Sequence, residues 1–246
     1  MALARKVQYQ FMKDLGAPAL MSLQKGLKKK RARKPNPDFG PPLKSAKRLK
    51  EIMTRHYLLA RYAEGAMPVA WVTSGAPVEL LRVFGFYTVY PENHGALCGA
   101  QKMGPEICDE AEKAGYHQDL CSYARIDLGH FLSGKTPTGK LPKPDLLFAS
   151  TNICQTVLYW YKALAHYWNI PLILFDTPYN FTEPTEHDLD YMTAQFKEMI
   201  PELERITGRD FSMDRLQEII RLAADASRTW GEVLETMKQR PAPMTI

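Results

Sequence analysis

The sequence contains few cysteines and no long apolar runs. Its four cysteines, at positions 98, 108, 121 and 154, form no Cys-x-x-Cys pair, which disfavours a zinc knuckle or ribbon. No apolar run reaches the roughly 20 residues that a membrane-spanning helix needs, and the first residues lack the apolar region of a signal peptide. We therefore expect a cytoplasmic protein that has no disulfide framework and no membrane partner.

The excess of basic residues is confined to one segment. The formal net charge is +5, and seven basic residues lie between positions 25 and 34, so subtracting seven leaves the rest of the chain at −2. Such a run could contact nucleic acid, an acidic partner or a polyphosphate tail, or it could be a solvated arm. We do not expect nucleic acid as the main partner, because the globular part contains no nucleic-acid-binding motif. Together with the Pro-rich stretch "PNPDFGPP", the run defines a predicted N-terminal arm over residues 1–43.

After the arm, short apolar runs alternate with patterns of helical spacing. This alternation predicts an α/β fold over residues 44–180, beginning with a helix and built on a doubly wound, Rossmann-like, parallel four-stranded sheet. After Asp176 the pattern is helical only, which predicts a helical extension over residues 181–246. The four predicted strands span residues 67–73, 84–90, 145–150 and 171–176.

Polar and sulfur-containing side chains follow each predicted strand. In a parallel sheet, ligands bind outside the carboxyl ends of the strands, so we predict that this edge of the sheet is the functional site. We interpret "PENHGALCGA" (residues 91–100) as beginning with a loop rich in reactive groups that precedes the next helix. The side chains in question are Ser74, Glu92, Asn93, His94, Cys98, Asn152, Cys154 and Asp176.

The four cysteines divide into two kinds. Cys108 lies in an amphipathic helical pattern and is interpreted as a buried filler. Cys98, Cys121 and Cys154 are each predicted in a loop near the start of a helix, where backbone amides and the helix dipole favour the thiolate. Three thiolates at one edge would suit an iron–sulfur cluster. On spacing alone, three unrelated packing cysteines remain the alternative.

One segment matches the consensus sequence of a nucleotide-binding motif but lacks the structural context that this motif requires. "GHFLSGKT" (residues 129–136) matches the P-loop pattern, in which a glycine-rich loop follows a strand and opens a helix. Here the segment follows a helical pattern and precedes three prolines within eight residues, which forbid an immediate helix. We therefore do not expect ATP to bind to this chain.

Several longer motifs resemble one enzyme family. "YPENHGALCGA", "CSYARIDLG", "GKLPKPDLLFASTNICQTVLYWY" and "PLILFDTP" are similar to segments of the benzoyl-CoA reductase and 2-hydroxyacyl-CoA dehydratase family. Within it they resemble the substrate-binding subunits (B or C type) of ATP-dependent benzoyl-CoA reductase. The resemblance runs from about Met67 to Pro178. It implies a [4Fe-4S] cluster in a cleft between two α/β domains, with cysteine ligands from each.

The resemblance also implies roles for single residues. Cys121, in the "CSYAR" motif, is the firmest match to a cluster ligand, and Cys98 and Cys154 are further candidates. Glu92 and His94 are the candidate proton donors, with the alternative that they only satisfy groups of the loop. The residues expected near substrate or cluster are Ser74, Asn93, Tyr123, Arg125 and Asn152.

The function implied by the resemblance is reductive. An ATP-hydrolysing iron–sulfur activator would deliver low-potential electrons, and this subunit, paired with a paralogous substrate-binding subunit, would pass them to an aromatic acyl-CoA in anaerobic dearomatisation. One alternative is a 2-hydroxyacyl-CoA dehydratase subunit, which performs radical dehydration; the other is a non-catalytic acyl-CoA-binding or assembly subunit without a complete cluster. "YPENHGALCGA" favours the reductase. The sequence stops at "RPAPMTI", where family members continue, so we expect a truncated product or half of a split subunit.

Overall fold

The computed structural model describes residues 2–30, 43–179 and 181–243. The "PNPDFGPP" linker and the basic residues of the arm from position 31 to 34 lie outside the described residues. Within them the chain forms four strands, ten α-helices and one π-helical turn (Met12–Gly16). The α-helices are α1 (Ala2–Phe11), α2 (Ala17–Lys30), α3 (Lys44–Ala60), α4 (Val78–Val83), α5 (Pro91–Ala100), α6 (Gly104–Lys113), α7 (Ser122–Ser133), α8 (Gln155–Trp168), α9 (Glu186–Thr207) and α10 (Met213–Thr236).

The four strands form one parallel sheet, as the sequence predicted. Its strand order is β2-β1-β3-β4, and all three pairings are parallel. Every residue of β1 and β3 is buried, because helices flank the sheet and leave no solvent-facing side for alternation. The strands are shorter than the predicted runs: β1 is Val69–Val72, β2 is Tyr87–Val89, β3 is Leu146–Ser150 and β4 is Leu172–Phe175.

The main core packs the two central strands against α7 and α8. Trp71 of β1 and Leu147 of β3 belong to the same buried cluster as Leu128 of α7 and Leu164 of α8. The Trp71 ring meets the edge of Trp168 at 5.0 Å between centroids, and its indole N–H donates to the Pro142 carbonyl at 3.0 Å. The polar atom of this tryptophan side chain is therefore satisfied inside an apolar core.

Helices α6 and α7 approach each other closely at Gly129. A Cβ built on Gly129 would lie 1.9 Å from the carbonyl oxygen of Ile107, so only glycine fits there. Gly129 is also the first glycine of the segment that matches the P-loop expression. Because residues 129–133 belong to α7 and Gly134 ends that helix in the left-handed region, the segment does not form a loop between a strand and a helix.

The chain divides into two compact units. The first comprises Met1–Ala76 and Tyr87–Tyr179 and contains the sheet; the second comprises Pro77–Phe86 and Asn180–Ile246 and contains α4, α9 and α10. In the second unit, Arg209 donates to the carbonyl of buried Phe84 at 2.8 Å. No strand follows β4 in the described residues, so the helical C-terminal extension is confirmed. Across the same residues, none of the helices combines the length and apolarity needed to cross a membrane.

The close approach at Gly129 yields a prediction about stability. Gly129→Ala should lower the free energy of unfolding by about 2 kcal/mol or more, because the added methyl group forces α6 and α7 apart. Gly99→Ala is the matched control: Gly99 is helical, and a Cβ there meets nothing within 4 Å. The control should be neutral or stabilising by up to about 1 kcal/mol through helix propensity. Urea denaturation measures both, and equal midpoints for the two variants would contradict the account.

Candidate functional site

The carboxyl edge of the sheet gathers the ends of neighbouring strands. The chain leaves β1 towards β2 on one side, while β3 lies on the other side, so the topological switch point falls between β1 and β3. Here the Ser150 amide donates to Thr73 Oγ1 at 3.1 Å. On the far side of β3, the Thr151 hydroxyl donates to Asp176 Oδ1 at 2.5 Å, which links the ends of β3 and β4.

The predicted residues Ser74, Glu92 and Asn152 all lie at this edge. The Ser74 amide donates to Glu92 Oε2 at 2.5 Å, which joins the end of β1 to the start of α5. The Ser150 hydroxyl donates to Asn152 Oδ1 at 2.6 Å. A Cβ added to Gly75, which has a φ of +78°, would lie 3.3 Å from Asn152 Nδ2. The Ser74 and Asn152 side chains are exposed, so this small polar surface is open to a ligand.

The stretch Pro91–Ala100 differs from its prediction. It forms helix α5 itself and contains no loop before a helix. Proline suits the first helical position because its φ is fixed and its missing N–H would have no helical partner there. Glu92 therefore lies in the first turn, at the sheet edge, whereas Cys98 lies in the last turns of the helix. The dipole argument for a Cys98 thiolate is thus corrected, since it applies only at a helix N-terminus.

His94 points into the interior and belongs to a buried polar cluster. Its Nδ1 lies 2.8 Å from Asp127 Oδ1, and its Nε2 lies 2.8 Å from Thr136 Oγ1 and 3.4 Å from Cys98 Sγ. Burial lowers the pKa of His94 to about 4 and raises the pKa of Asp127 well above its usual range. Both shifts favour the uncharged forms of the two side chains.

Asp127 was missed in the sequence, although a signal was present. In α7 it stands between apolar Ala124 and Leu128, a lone acid on the face that enters the core. Its Oδ2 is one of three buried side-chain atoms in the described ranges that have no hydrogen-bond partner; the others are Trp160 Nε1 and Tyr161 Oη. Buried polar atoms without protein partners commonly bind ordered water.

Cys98 and Cys108 share one apolar cluster. Both are buried, and they pack with Ile107 and Ile126. Burial raises the pKa of Cys98 to about 12, and it also raises the pKa of Cys108, whose thiol donates to the Ser122 carbonyl at 3.8 Å. Cys108 is therefore the buried filler that the sequence predicted. Cys98, a predicted metal ligand, is placed beside it and is closed off from solvent.

Unlike Cys98 and Cys108, Cys121 and Cys154 lie at the surface. Both thiols are exposed, and both residues are N-caps, of α7 and α8 respectively. Each cysteine thus precedes a helix, of 12 residues for α7 and 14 residues for α8, and each side chain is accessible to solvent.

Helices α7 and α8 run in the same direction, so their N-caps lie at the same end of the helix pair. A cavity of about 350 Å³ is lined by Leu120 and Ala124 on one side and by Gln155 and Thr156 on the other. At the opposite ends of the helices, Phe131 stacks on Tyr167 at 4.9 Å between ring centroids. Since α8 begins at the end of β3, both cysteines lie at the carboxyl edge of the sheet.

The remaining predicted residues, Tyr123, Arg125 and Asn93, lie on α7 and α5. Tyr123 and Arg125 line a second cavity, of about 620 Å³, between α5, α6 and α7. Arg125 forms an ion pair with Glu112, and its Nε donates to the Leu120 carbonyl at 3.0 Å. Asn93 is exposed on α5. The structure thus brings Ser74, Glu92 and Asn152 together and places Tyr123 and Arg125 elsewhere.

A cluster site is only partly supplied by the residues that the structure describes. Among them, no three His, Cys, Asp or Glu side chains are grouped so as to hold a metal ion. Cys121 and Cys154 are exposed thiols of the type that binds iron–sulfur clusters, but a [4Fe-4S] cluster is generally held by four cysteines. The two exposed cysteines could therefore supply two of the cluster's ligands. The remaining ligands would have to come from outside the residues that the structure describes.

Two histidines that are shielded from solvent predict a loss of stability in acid: His94 is buried and His130 is partly buried. Burial lowers the pKa of His130, like that of His94, to about 4 from a usual 6.5. Between these values the unfolded chain binds more protons than the native one, so the histidine contribution falls as pH falls from 6.5 to 4. Asp127 acts in the opposite sense, because its raised pKa gives a contribution that declines as pH rises above about 4. His94 and Asp127 therefore contribute in opposite directions, and His130 is the histidine whose effect is tested separately.

His130→Asn should reduce the dependence of stability on pH. Urea midpoints measured from pH 6.5 to 4.5 should fall less steeply in this variant than in the unmodified chain. His117→Asn is the matched control, because the His117 side chain is exposed, and it should keep the original slope. If His130→Asn kept that slope too, the burial argument would be wrong.

Comparisons with known proteins agree on one family. A family model described as 2-hydroxyglutaryl-CoA dehydratase, D-component, matches residues 73–246. The chain is 37% identical over 199 residues to the (R)-2-hydroxyisocaproyl-CoA dehydratase alpha subunit of Clostridioides difficile, which covers 80% of this chain and 49% of that protein. It is 34% identical over 210 residues to the (R)-phenyllactyl-CoA dehydratase alpha subunit of Clostridium sporogenes, covering 81% and 52%.

A reductase subunit is also similar. The chain is 32% identical over 201 residues to a subunit of the benzoyl-CoA reductase of Thauera aromatica, and the match covers 79% of this chain and 46% of that protein. The chain thus spans about half the length of the curated relatives it matches. These relatives are subunits of enzymes. The chain belongs to the 2-hydroxyglutaryl-CoA dehydratase D-component family, which confirms the resemblance to the 2-hydroxyacyl-CoA dehydratases and benzoyl-CoA reductases.

Proposed function

We propose that this chain is the cluster-holding part of an acyl-CoA-processing subunit that works in a hetero-oligomeric enzyme. The observation that carries the proposal is the pair of exposed thiols, Cys121 and Cys154, at neighbouring helix N-termini on the carboxyl edge of the sheet. Exposure and a nearby helix dipole are the conditions under which thiolates form and bind iron. The family relationship supports the same class of enzyme.

In this proposal Cys121 and Cys154 hold a [4Fe-4S] cluster together with ligands from outside the described residues. When bound, such a cluster supplies single electrons at low potential. Cys98 is left out of the ligand set, because its side chain is fully buried and packs with Ile107, Cys108 and Ile126. ATP hydrolysis belongs to an activator partner, and a paralogous subunit completes the assembly.

Glu92 is the group proposed to move a proton at the acyl substrate. It is only partly buried, it lies at the sheet edge, and its Oε2 is held by the Ser74 amide at 2.5 Å. This bond fixes one carboxyl oxygen and leaves the other available to a thioester-bound acyl group, beside the exposed Ser74 side chain. His94 is left out of this role because its ring is buried and both nitrogens have partners within the protein.

The first candidate reaction is dehydration of a 2-hydroxyacyl-CoA. The sequence motifs favoured the reductase, but the two dehydratase subunits share 37% and 34% identity with this chain, against 32% for the reductase subunit. Reduction of an aromatic acyl-CoA remains the second candidate, supported by that similarity over 79% of the chain. A non-catalytic assembly role is the outcome if the assembled protein binds no iron.

The cysteine assignment predicts which substitutions remove iron. In complexes co-expressed with partner subunits and purified without oxygen, Cys121→Ser and Cys154→Ser should each reduce bound iron and sulfide to less than about half, since each removes a ligand. Cys108→Ser is the control and should keep the iron content, because that thiol is buried in helix packing. Iron loss in Cys98→Ser but not in Cys154→Ser would overturn the assignment.

The proton-transfer role predicts a loss of activity without loss of iron. Glu92→Gln should lower the turnover of the complex about 100-fold or more, because the amide keeps the Ser74 contact but cannot transfer the proton. Asn93→Ala, on the exposed side of the same turn, should retain most of the activity. Steady-state rates measured as a function of pH, together with iron analysis, distinguish this from damage to the cluster. Unchanged turnover in Glu92→Gln would contradict the role.

A further inference from the structure

We propose that one face of α10, with the groove beside it, is a docking surface for a polypeptide module equivalent to the half of the relatives that this chain does not match. This docking surface lies entirely within the second unit of the chain. It is distinct from the thiols and polar groups of the candidate cluster site. The proposal therefore stands on the family assignment and does not depend on which reaction is catalysed.

Helix α10 is a long amphipathic helix whose apolar side is left largely uncovered. It has 24 residues, and none of them is buried. A helix with this periodicity is stabilised in proteins mainly by packing its apolar stripe against another element. The stripe recurs at spacings of three and four residues: Met213, Leu216, Ile220, Ala223, Ser227, Trp230 and Leu234.

The exposure of this stripe is large for side chains of this kind. Ile220 is 50% exposed, and Trp230 is 57% exposed. Contiguous apolar exposure marks interaction sites, and tryptophan is among the residues that most often dominate binding energy at protein interfaces. Burying these side chains against a partner would remove their apolar surface from water, which is favourable and which α10 does not achieve by itself.

Beside the stripe lies an apolar groove. A cavity of about 500 Å³ opens between the α4 segment, α9 and α10. Its walls are almost entirely apolar, so it can receive hydrophobic side chains of a partner and offers few polar groups to orient a small polar ligand. The main apolar walls come from Leu80, Phe196, Ile200, Phe211, Leu216 and Ile220.

The polar side of α10 identifies the partner as protein and not as a membrane surface. Arg215 pairs with Glu218 and Arg228 pairs with Asp225, each within the helix. The helix carries five acidic and three basic residues, whereas helices that lie on anionic membranes are rich in lysine and arginine. Two of its three cations are thus paired within the helix, and it is the apolar stripe that needs a partner.

The size of the relatives indicates which protein module fits. The match to the family model runs from residue 73 to 246, so α9 and α10 belong to the shared part of the family fold. The chain covers 49% and 52% of two dehydratase subunits, which therefore contain about as many further residues. An exposed apolar stripe also occurs on the N-terminal helices, at Leu3, Val7 and Phe11, but it lies before the region matched by the family model. The stripe on α10 lies inside the matched region, so it is the one that we assign to this module.

The test combines this chain with the part of a relative that the chain does not match. The full chain is co-expressed with the part of the Clostridioides difficile alpha subunit that it does not match, and the products are examined by size-exclusion chromatography with light scattering. We expect a one-to-one complex. Ile220→Glu and Trp230→Glu should each weaken its dissociation constant at least tenfold, while circular dichroism shows α10 still helical.

Leu222→Glu is the matched control. Leu222 is 57% exposed on the same helix but on the opposite side from Ile220, so it should leave the complex intact. The proposal is overturned if the two halves fail to associate, or if Leu222→Glu weakens association as much as Ile220→Glu. It is also overturned if the chain alone forms a dimer that Ile220→Glu dissociates, or if vesicles of anionic phospholipid bind to this face. Since the readout is association, Cys121→Ser should not change it, which separates this proposal from the proposed function.

Discussion

Parallel pairing of β1 with β3 decides where the chemistry of this chain can occur. Because the strands run in the same direction, Ser74 and Asn152 emerge at one edge, and the helices that follow begin there. The N-termini of α7 and α8 lie at the same end of the helix pair, and an exposed cysteine caps each helix. Two exposed thiols, a carboxylate and small polar groups lie at this edge because the topology leaves each of them at a strand or helix end.

The ten residues of helix α5 include both a carboxylate at the sheet edge and polar groups that are buried in the interior. Glu92, in its first turn, faces the sheet edge, whereas His94 and Cys98 face inward and join Asp127. Burial shifts the pKa values of His94 and Asp127 towards the uncharged forms, and the hydrogen bond between these two side chains joins α5 to α7. Glu92 is positioned through this internal network, although its own carboxylate lies outside it.

More of the fold than of the candidate site could be predicted from the sequence. Four apolar runs bounded by Gly and Pro predict the parallel sheet, because buried strands need continuous apolar residues. The sequence does not predict which side chains point into the core and which point to solvent. Pro91 opens a helix, and the helical period then turns Cys98 inward, while Cys121 and Cys154 remain outside. That distinction depends on packing between α5, α6 and α7, which no single motif encodes; the close contact at Gly129 is visible only when Ile107 is seen beside it.

The central claim is that Cys121 and Cys154, and not the buried pair, bind the cluster. Alkylation of the assembled complex, mapped by mass spectrometry before and after iron is removed with a chelator, tests it most directly. We predict that iron removal makes Cys121 and Cys154 reactive, and that Cys98 and Cys108 stay unreactive in both states because they are buried. Modification of Cys98 only after iron removal, with Cys154 reactive throughout, would contradict the account.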